Sequence, residues 1–231
     1  MNRSFKNPTS TFPTTEPHSN RQYFRVAVAL LAAMHLAGFV GLQLPASRPY
    51  FLMLVPFNLV LSAGLLSVFH SHWNYPFLFF CVFTFLAGYA VEVVGVRSGL
   101  IFGHYGYGEA LGTHLLAVPP LIGLNWLILV YCTGVISAKL RTTRWGRATA
   151  GALLMVALDF LIEPVAGSLD FWRWQDNRIP PQNYLAWFVV AWVLLACFHA
   201  FPFRKGNRFA PFLYAAQLVF FLLHNLVGIL K

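Results

Sequence analysis

The sequence predicts an all-α integral membrane protein, a polytopic bundle of about seven transmembrane helices, and three observations carry that expectation. Apolar runs of roughly 20 residues, the length that crosses a hydrocarbon core about 30 Å thick, recur along the chain. The composition is 58% hydrophobic and 17% aromatic but only 10% charged, a balance foreign to soluble domains. Basic residues fall in short clusters between the apolar runs, so the net charge of +9 marks membrane topology rather than a nucleic-acid surface.

Residues 1–20 are rich in Ser, Thr, Asn and Pro without apolar periodicity and read as a disordered polar tail. Residues 21–231 read as a single transmembrane helical domain. The first apolar run, Tyr23 to Leu44, exceeds the about 7 to 15 residues of a signal-peptide core and is taken as the first span. The remaining spans are expected at Tyr50 to Phe69, Pro76 to Val96, Leu115 to Ala138, Ala148 to Val165, Tyr184 to Phe203 and Ala210 to Leu230. With the N-terminus inside, the inner segments carry eleven basic residues and the outer ones five, so the positive-inside rule agrees with that count. Trp73, Tyr75, Trp145, Trp172, Trp174, Tyr184 and Trp187 fall at predicted span ends, where amphipathic rings settle. Cys81, Cys132 and Cys197 lie inside apolar runs without CxxC spacing and read as packing residues.

Two outer loops are long enough to hold structure. Arg97 to His114 contains Gly103-His104-Tyr105-Gly106-Tyr107-Gly108-Glu109, in which glycines permit tight turns and the tyrosines suit the headgroup level. Ala166 to Asn183 mixes Asp170, Trp172, Arg173, Trp174, Asp176 and Arg178, and serves either as a lid or as a connector.

The acids are few and one-sided. Of seven, Glu16 belongs to the tail, while Glu92, Glu109, Asp159, Glu163, Asp170 and Asp176 all map to the outer half of a span or to an outer loop. An ionisable group costs about 2.5 to 3.5 kcal/mol at a helix centre, so acids inside apolar runs call for a function. Asp159 and Glu163 are four apart and project from one helix face, with Pro164 limiting how far that helix continues. Two carboxyls buried side by side do not both ionise readily, which leaves one as a neutral acid able to donate a proton. Pairing with outer arginines such as Arg97 or Arg173 is the structural alternative. Glu92 lies late in the third span at similar depth. Asn125 and Trp126 in the fourth span, and His224 and Asn225 in the seventh, extend the polar set, and Gln217 shares a helix face with His224. Together they predict one polar pocket opening outward.

Several classes are excluded. A retinal protein needs a lysine in its last span, but Lys6, Lys139, Lys205 and Lys231 are tail, loop or terminal residues. A membrane di-iron site needs many close histidines, and His70-Ser71-His72 is the one near pair. Gly103, Gly106 and Gly108 follow no strand, so they are not a nucleotide fingerprint.

The strings Glu92-Val93-Val94-Gly95-Val96-Arg97-Ser98-Gly99-Leu100-Ile101-Phe102-Gly103, Tyr105-Gly106-Tyr107-Gly108, Val118-Pro119-Pro120-Leu121-Ile122-Gly123-Leu124-Asn125-Trp126 and Leu158-Asp159-Phe160-Leu161-Ile162-Glu163-Pro164-Val165-Ala166 resemble the membrane-embedded carotenoid hydratases, of the gamma-carotene and bisanhydrobacterioruberin hydratase type. The likeness runs on through Asp170-Phe171-Trp172, Trp174 and Pro180-Pro181-Gln182-Asn183-Tyr184-Leu185-Ala186-Trp187-Phe188. It implies addition of water across the terminal double bond of an acyclic carotenoid end, giving a tertiary alcohol, without metal or redox cofactor. On that reading Asp159 is the preferred proton donor, Glu163 tunes it or holds the water, and Glu92 and Asn125 complete the polar end. Trp126, Phe160 and Trp172 are candidate walls for the cation, and Tyr105, Asn183 and His224 are further substrate contacts. The implied partners are the carotenoid lipid, the membrane and other carotenoid biosynthesis enzymes, with no nucleic acid, and the implied location is a bacterial or archaeal cytoplasmic membrane. A magnesium-dependent prenyltransferase, with Asp159 and Glu163 holding the metal, and a proton-coupled transporter are the rival readings.

Overall fold

The structure, a computed structural model, describes residues 21–229; the expected polar tail, residues 1–20, lies outside the described residues. The described residues form eight helices: α1 (Arg21–Gln43), α2 (Arg48–Met53), α3 (Val55–Val68), α4 (Tyr75–Ser98), α5 (Leu121–Ser137), α6 (Arg144–Ala166), α7 (Pro181–Ala200) and α8 (Ala210–Ile229). Five of them, α1, α4, α6, α7 and α8, are long and apolar enough to cross a membrane, rather than the expected seven.

Prolines account for the difference. The expected span from Tyr50 to Phe69 divides at Leu54, because Pro56 has no N–H to continue a helix arriving from α2 and its ring would meet the carbonyl four residues back. The expected span from Leu115 to Ala138 starts only at Leu121. Pro119 and Pro120 block its backward extension, and Leu116 and Ala117 turn through the left-handed region at φ 56° and 70°. At about 1.5 Å per residue, α3 and α5 are roughly 21 and 26 Å long, short of a hydrocarbon core of about 30 Å.

The short α5 is the hub. Twelve of its 17 residues are buried, and it packs against α3, α4, α6, α7 and α8. A helix apolar all round is a core helix, and α5 is surrounded accordingly. Local signals set the ends of its neighbours. Asn74 caps α4 by accepting the Phe77 N–H at 3.0 Å, and Gly99 closes it in the left-handed conformation at φ 65°. Thr143 caps α6 through the Gly146 N–H at 3.1 Å, and α6 ends at Ala166, two residues past Pro164. Asn225 and Tyr214 of α8 brace α6 by donating to the carbonyls of Leu161 and Leu154.

The two outer loops are joined by strands. β1 (Tyr105–Tyr107) and β2 (Trp172–Trp174) pair antiparallel, with Tyr105 opposite Trp174, Gly106 opposite Arg173 and Tyr107 opposite Trp172. Side chains alternate along a strand, so the four aromatic rings share one face, while Gly106 and Arg173 occupy the other. Asp170 ties the loops further: it accepts the Glu109 N–H at 2.9 Å and pairs with Arg173 at 3.5 Å. This small sheet sits at the end of the bundle where α4 and α6 finish and α5 and α7 begin.

Candidate active site

Three carboxyls converge beneath the sheet. Glu92 comes from the last turns of α4, and Asp159 and Glu163 from the last turns of α6; all three are buried. They lie close enough to feel one another's charge. No arginine or lysine neutralises them, since the one ion pair among the described residues is that of Arg173 with Asp170. Their partners are neutral donors.

Glu92 accepts three hydrogen bonds. Tyr105 Oη and Tyr107 Oη donate to its Oε2 at 2.5 and 2.8 Å, and Trp126 Nε1 donates to Oε1 at 2.9 Å. Glu163 also accepts three: Trp172 Nε1 and Trp174 Nε1 reach its Oε2 at 3.2 and 2.7 Å, and Asn183 Nδ2 reaches its Oε1 at 2.8 Å. Asp159 accepts one, from the same Asn183 Nδ2 to its Oδ2 at 3.1 Å, and its buried Oδ1 has no partner among the described residues. The single amide of Asn183 thus spends one hydrogen on each α6 carboxyl. Burial first, and then the neighbouring Glu92 charge, push the phenols of Tyr105 and Tyr107 up, which keeps both as donors.

This geometry follows from the local sequence. Spacing of two in Tyr-Gly-Tyr and Trp-Arg-Trp aims four donors downward from the sheet. Gly88 lets α5 approach α4, because a Cβ there would fall 2.5 Å from Trp126 Cβ; the close approach carries the Trp126 indole to Glu92, four residues on. Trp187 of α7 stacks on Trp126 with ring centroids 4.4 Å apart, which locks the indole.

One cavity is lined by carboxyls and a second lies beside it. A small one, about 10 Å³, is lined by Glu92, Glu163, Tyr105, Tyr107 and Asn183 among others, and has room for about one water. A larger one, about 310 Å³, lies on the other side of α5 and α6, among α1, α3 and α8, and its lining is mainly apolar. Ile122 and Trp172 line both, so they form the partition between a polar niche and an apolar chamber.

Most of the sequence-predicted residues meet here, with exceptions. Glu92 with Tyr105 and Trp126, and Asp159 and Glu163 with Trp172 and Asn183, form two hydrogen-bonded groups that meet around one niche. Asn125 lines the apolar chamber instead. Phe160 lies apart from the carboxyls: it is 62% exposed and packs on Tyr184, because one helical residue past Asp159 is a turn of about 100° away from the carboxyl face. His224 lies apart as well. It is held at the α1–α8 seam by Gln43 at 2.9 Å and by the rings of Phe39 and Phe220, and is not among the partners of the three carboxyls. Tyr107, Trp174 and Trp187 were not foreseen as site residues. The sequence marked Tyr107 as a loop aromatic at the headgroup level and Trp174 and Trp187 as aromatics at span ends, not as partners of the carboxyls. Among the described residues no group of three His, Cys, Asp or Glu side chains is arranged to hold a metal ion.

Comparison with known proteins places this geometry in context. Over 225 residues the chain is 27% identical to a protein of Haloarcula japonica named bisanhydrobacterioruberin hydratase, a match that covers 86% of this chain and 74% of that protein. No solved structure matches the chain. A family model described as carotenoid biosynthesis protein matches residues 48–230, well over half of the sequence. The chain therefore belongs to the carotenoid biosynthesis protein family.

Proposed function

We propose that the protein hydrates the terminal C1'–C2' double bond of an acyclic carotenoid end by acid catalysis, giving a tertiary alcohol. The observation that carries this reading is the polar niche of cation-free carboxyls set against an apolar chamber across the shared wall of Ile122 and Trp172. The name of the Haloarcula japonica relative supports the same reaction class.

An isolated trisubstituted alkene has no carbonyl or hydroxyl through which to be activated, so the first step must be protonation of its carbon. A carboxyl surrounded by donors is suited to the ionised form, whereas one short of donors is suited to carrying a proton, since the protonated group is itself a donor. By that rule Glu92 and Glu163, with three donors each, act as carboxylates, and Asp159, with one, holds the proton. Asp159 and Glu163 form a dyad sharing that proton through the common tether of Asn183, with Glu163 facing the niche. The alkene π pair takes the proton at C2', leaving a tertiary cation at C1' and one more negative charge on the dyad. The Glu92 carboxylate and the Trp172 ring stabilise that cation. Water adds at C1', and its surplus proton returns to the dyad, so the net change is the gain of one water. Magnesium-dependent prenyl transfer fits less well, because Trp172, Trp174 and Asn183 already occupy both oxygens of Glu163.

The test is expression in a host accumulating lycopene or gamma-carotene, followed by mass analysis of its pigments. The expected pigment has gained one water with the wild-type chain and is missing with folded Asp159→Asn or Glu163→Gln. An unchanged pigment profile for the wild type overturns the reaction, and full hydration by folded Asp159→Asn overturns the role of Asp159.

A further inference from the structure

The apolar chamber is not uniformly apolar. Gln217 of α8 lines it and is only 8% exposed, yet its Oε1 is buried with no hydrogen-bond partner among the described residues. Asn58 of α3 and Asn125 of α5 line the same space, so amides from three helices face one chamber whose other walls include Leu129, Leu158 and Phe221. A buried polar group left unsatisfied is destabilising, and a site needed only for packing would be filled as well by leucine. An unpartnered, buried amide oxygen facing this space points to a ligand that supplies the missing partner.

The chemistry of that ligand follows from the chamber. It must be largely apolar to match the walls and must carry a small group that donates or accepts one hydrogen bond. A carotenoid alkene end has no such group. Its hydrate has one, a hydroxyl, which both donates and accepts and so fits the Gln217 amide whichever way the amide is turned. The partition shared with the niche puts this amide set in the space next to the proposed proton source.

We infer that Gln217, with Asn58 and Asn125, forms a hydroxyl-binding subsite that receives the tertiary alcohol of the hydrated isoprenoid end. The inference rests on the hydration reading above for the identity of the alcohol, and on the chamber alone for the existence of the subsite. It makes the chamber selective for product over substrate and assigns Gln217 a part in binding rather than in proton transfer.

The test uses two short isoprenoids that differ by one water, dihydromyrcene and its tertiary alcohol dihydromyrcenol. Their binding to the purified full-length chain in detergent is followed through tryptophan fluorescence, since Trp172 lines the chamber. Gln217→Leu is expected to weaken dihydromyrcenol about two- to tenfold, the loss of one hydrogen bond, and to leave dihydromyrcene within about twofold. Gln217→Met, which keeps length and flexibility, is expected to do the same. Equal loss of both probes in both variants makes Gln217 a packing residue and overturns the subsite, as does unchanged alcohol binding or a wild-type chain that binds neither probe. Pigment conversion reads the reaction separately. Selective loss of alcohol binding by a protein that fails to hydrate pigments keeps the subsite and removes the reaction, while intact hydration with no alcohol selectivity removes the subsite alone.

Discussion

Asn183→Leu is the perturbation that bears most on the carboxyl cluster. Asn183 is 1% exposed near the start of α7, and leucine fills nearly the same space in a helix. What disappears is the amide, and with it the bonds of 3.1 Å to Asp159 and 2.8 Å to Glu163. A hydrogen bond to an ionised group is worth about 1.5–3 kcal/mol and one to a neutral group about 0.5–1.5 kcal/mol, so with one carboxyl of the dyad in each form the loss is about 2–4.5 kcal/mol. Asp159 bears the larger share in kind, because Asn183 is its one partner, whereas Glu163 keeps both tryptophans. If that energy holds the dyad in its reactive geometry, conversion to a hydrated pigment falls roughly 30- to 2000-fold, at a factor of ten per about 1.36 kcal/mol. The assay is pigment conversion per folded protein, with folding checked by elution from a sizing column in detergent. Asn183→Asp is the control for shape: it preserves size but replaces the donor by a third acceptor, and it is expected to be at least as damaging as leucine. A folded Asn183→Leu protein converting pigment within about threefold of wild type would refute the reasoning.

Three further outcomes follow from the same geometry. Gly88→Ala places a methyl 2.5 Å from Trp126 Cβ and is expected to push the indole off Glu92, costing about 1–3 kcal/mol of stability, with a changed near-ultraviolet circular dichroism and at least tenfold slower conversion. Unchanged dichroism and rate would contradict it. Phe160→Ala removes a ring that faces outward, so conversion is expected within about twofold of wild type, and a large loss would return Phe160 to the site. For pH, Lys205 lies between α7 and α8 over the Phe203 ring at 3.9 Å, and burial pushes its ammonium down from 10.5 to about 8. The folded state thus binds the proton less readily than the unfolded chain. The sign is a stability that rises as pH climbs from about 8 toward 10.5 and is flat below that window. Tyr105 and Tyr107, with phenols pushed up, begin to act in the opposite sense above about pH 10, where the unfolded chain ionises. Between pH 8 and 9.5 the melting midpoint in detergent should therefore shift upward in the wild type relative to Lys205→Met, and equal slopes would remove Lys205 from the effect.

The carboxyls were legible because lipid makes them conspicuous: an acid inside an apolar run has few innocent explanations, and spacing of four puts Asp159 and Glu163 on one face without any tertiary information. Their bonding partners were half legible. Tyr-Gly-Tyr and Trp-Arg-Trp each show a period of two, but three-residue strands more than 60 positions apart carry no local mark of pairing, so the aromatics read as interface anchors. Phe160 illustrates the reverse case. It lies next to Asp159 in sequence, and helical rotation alone turns it away, so closeness in the chain does not bring it to the carboxyls. The span count failed at Pro56 and at Pro119-Pro120, because averaged hydropathy registers apolar length and not whether the backbone can be helical throughout. The apolar chamber had no sequence signal of its own, since its lining comes from helices far apart in the chain.

Acid-catalysed hydration requires that solvent water, and not molecular oxygen, supply the hydroxyl after proton addition to the alkene. Its most direct test is to incubate membranes containing the protein with an acyclic carotenoid in oxygen-18 water and to read the isotope in the recovered pigment. The expected product is a tertiary alcohol carrying the heavy isotope, formed equally well without air. An alcohol carrying unlabelled oxygen and formed only in air would contradict it.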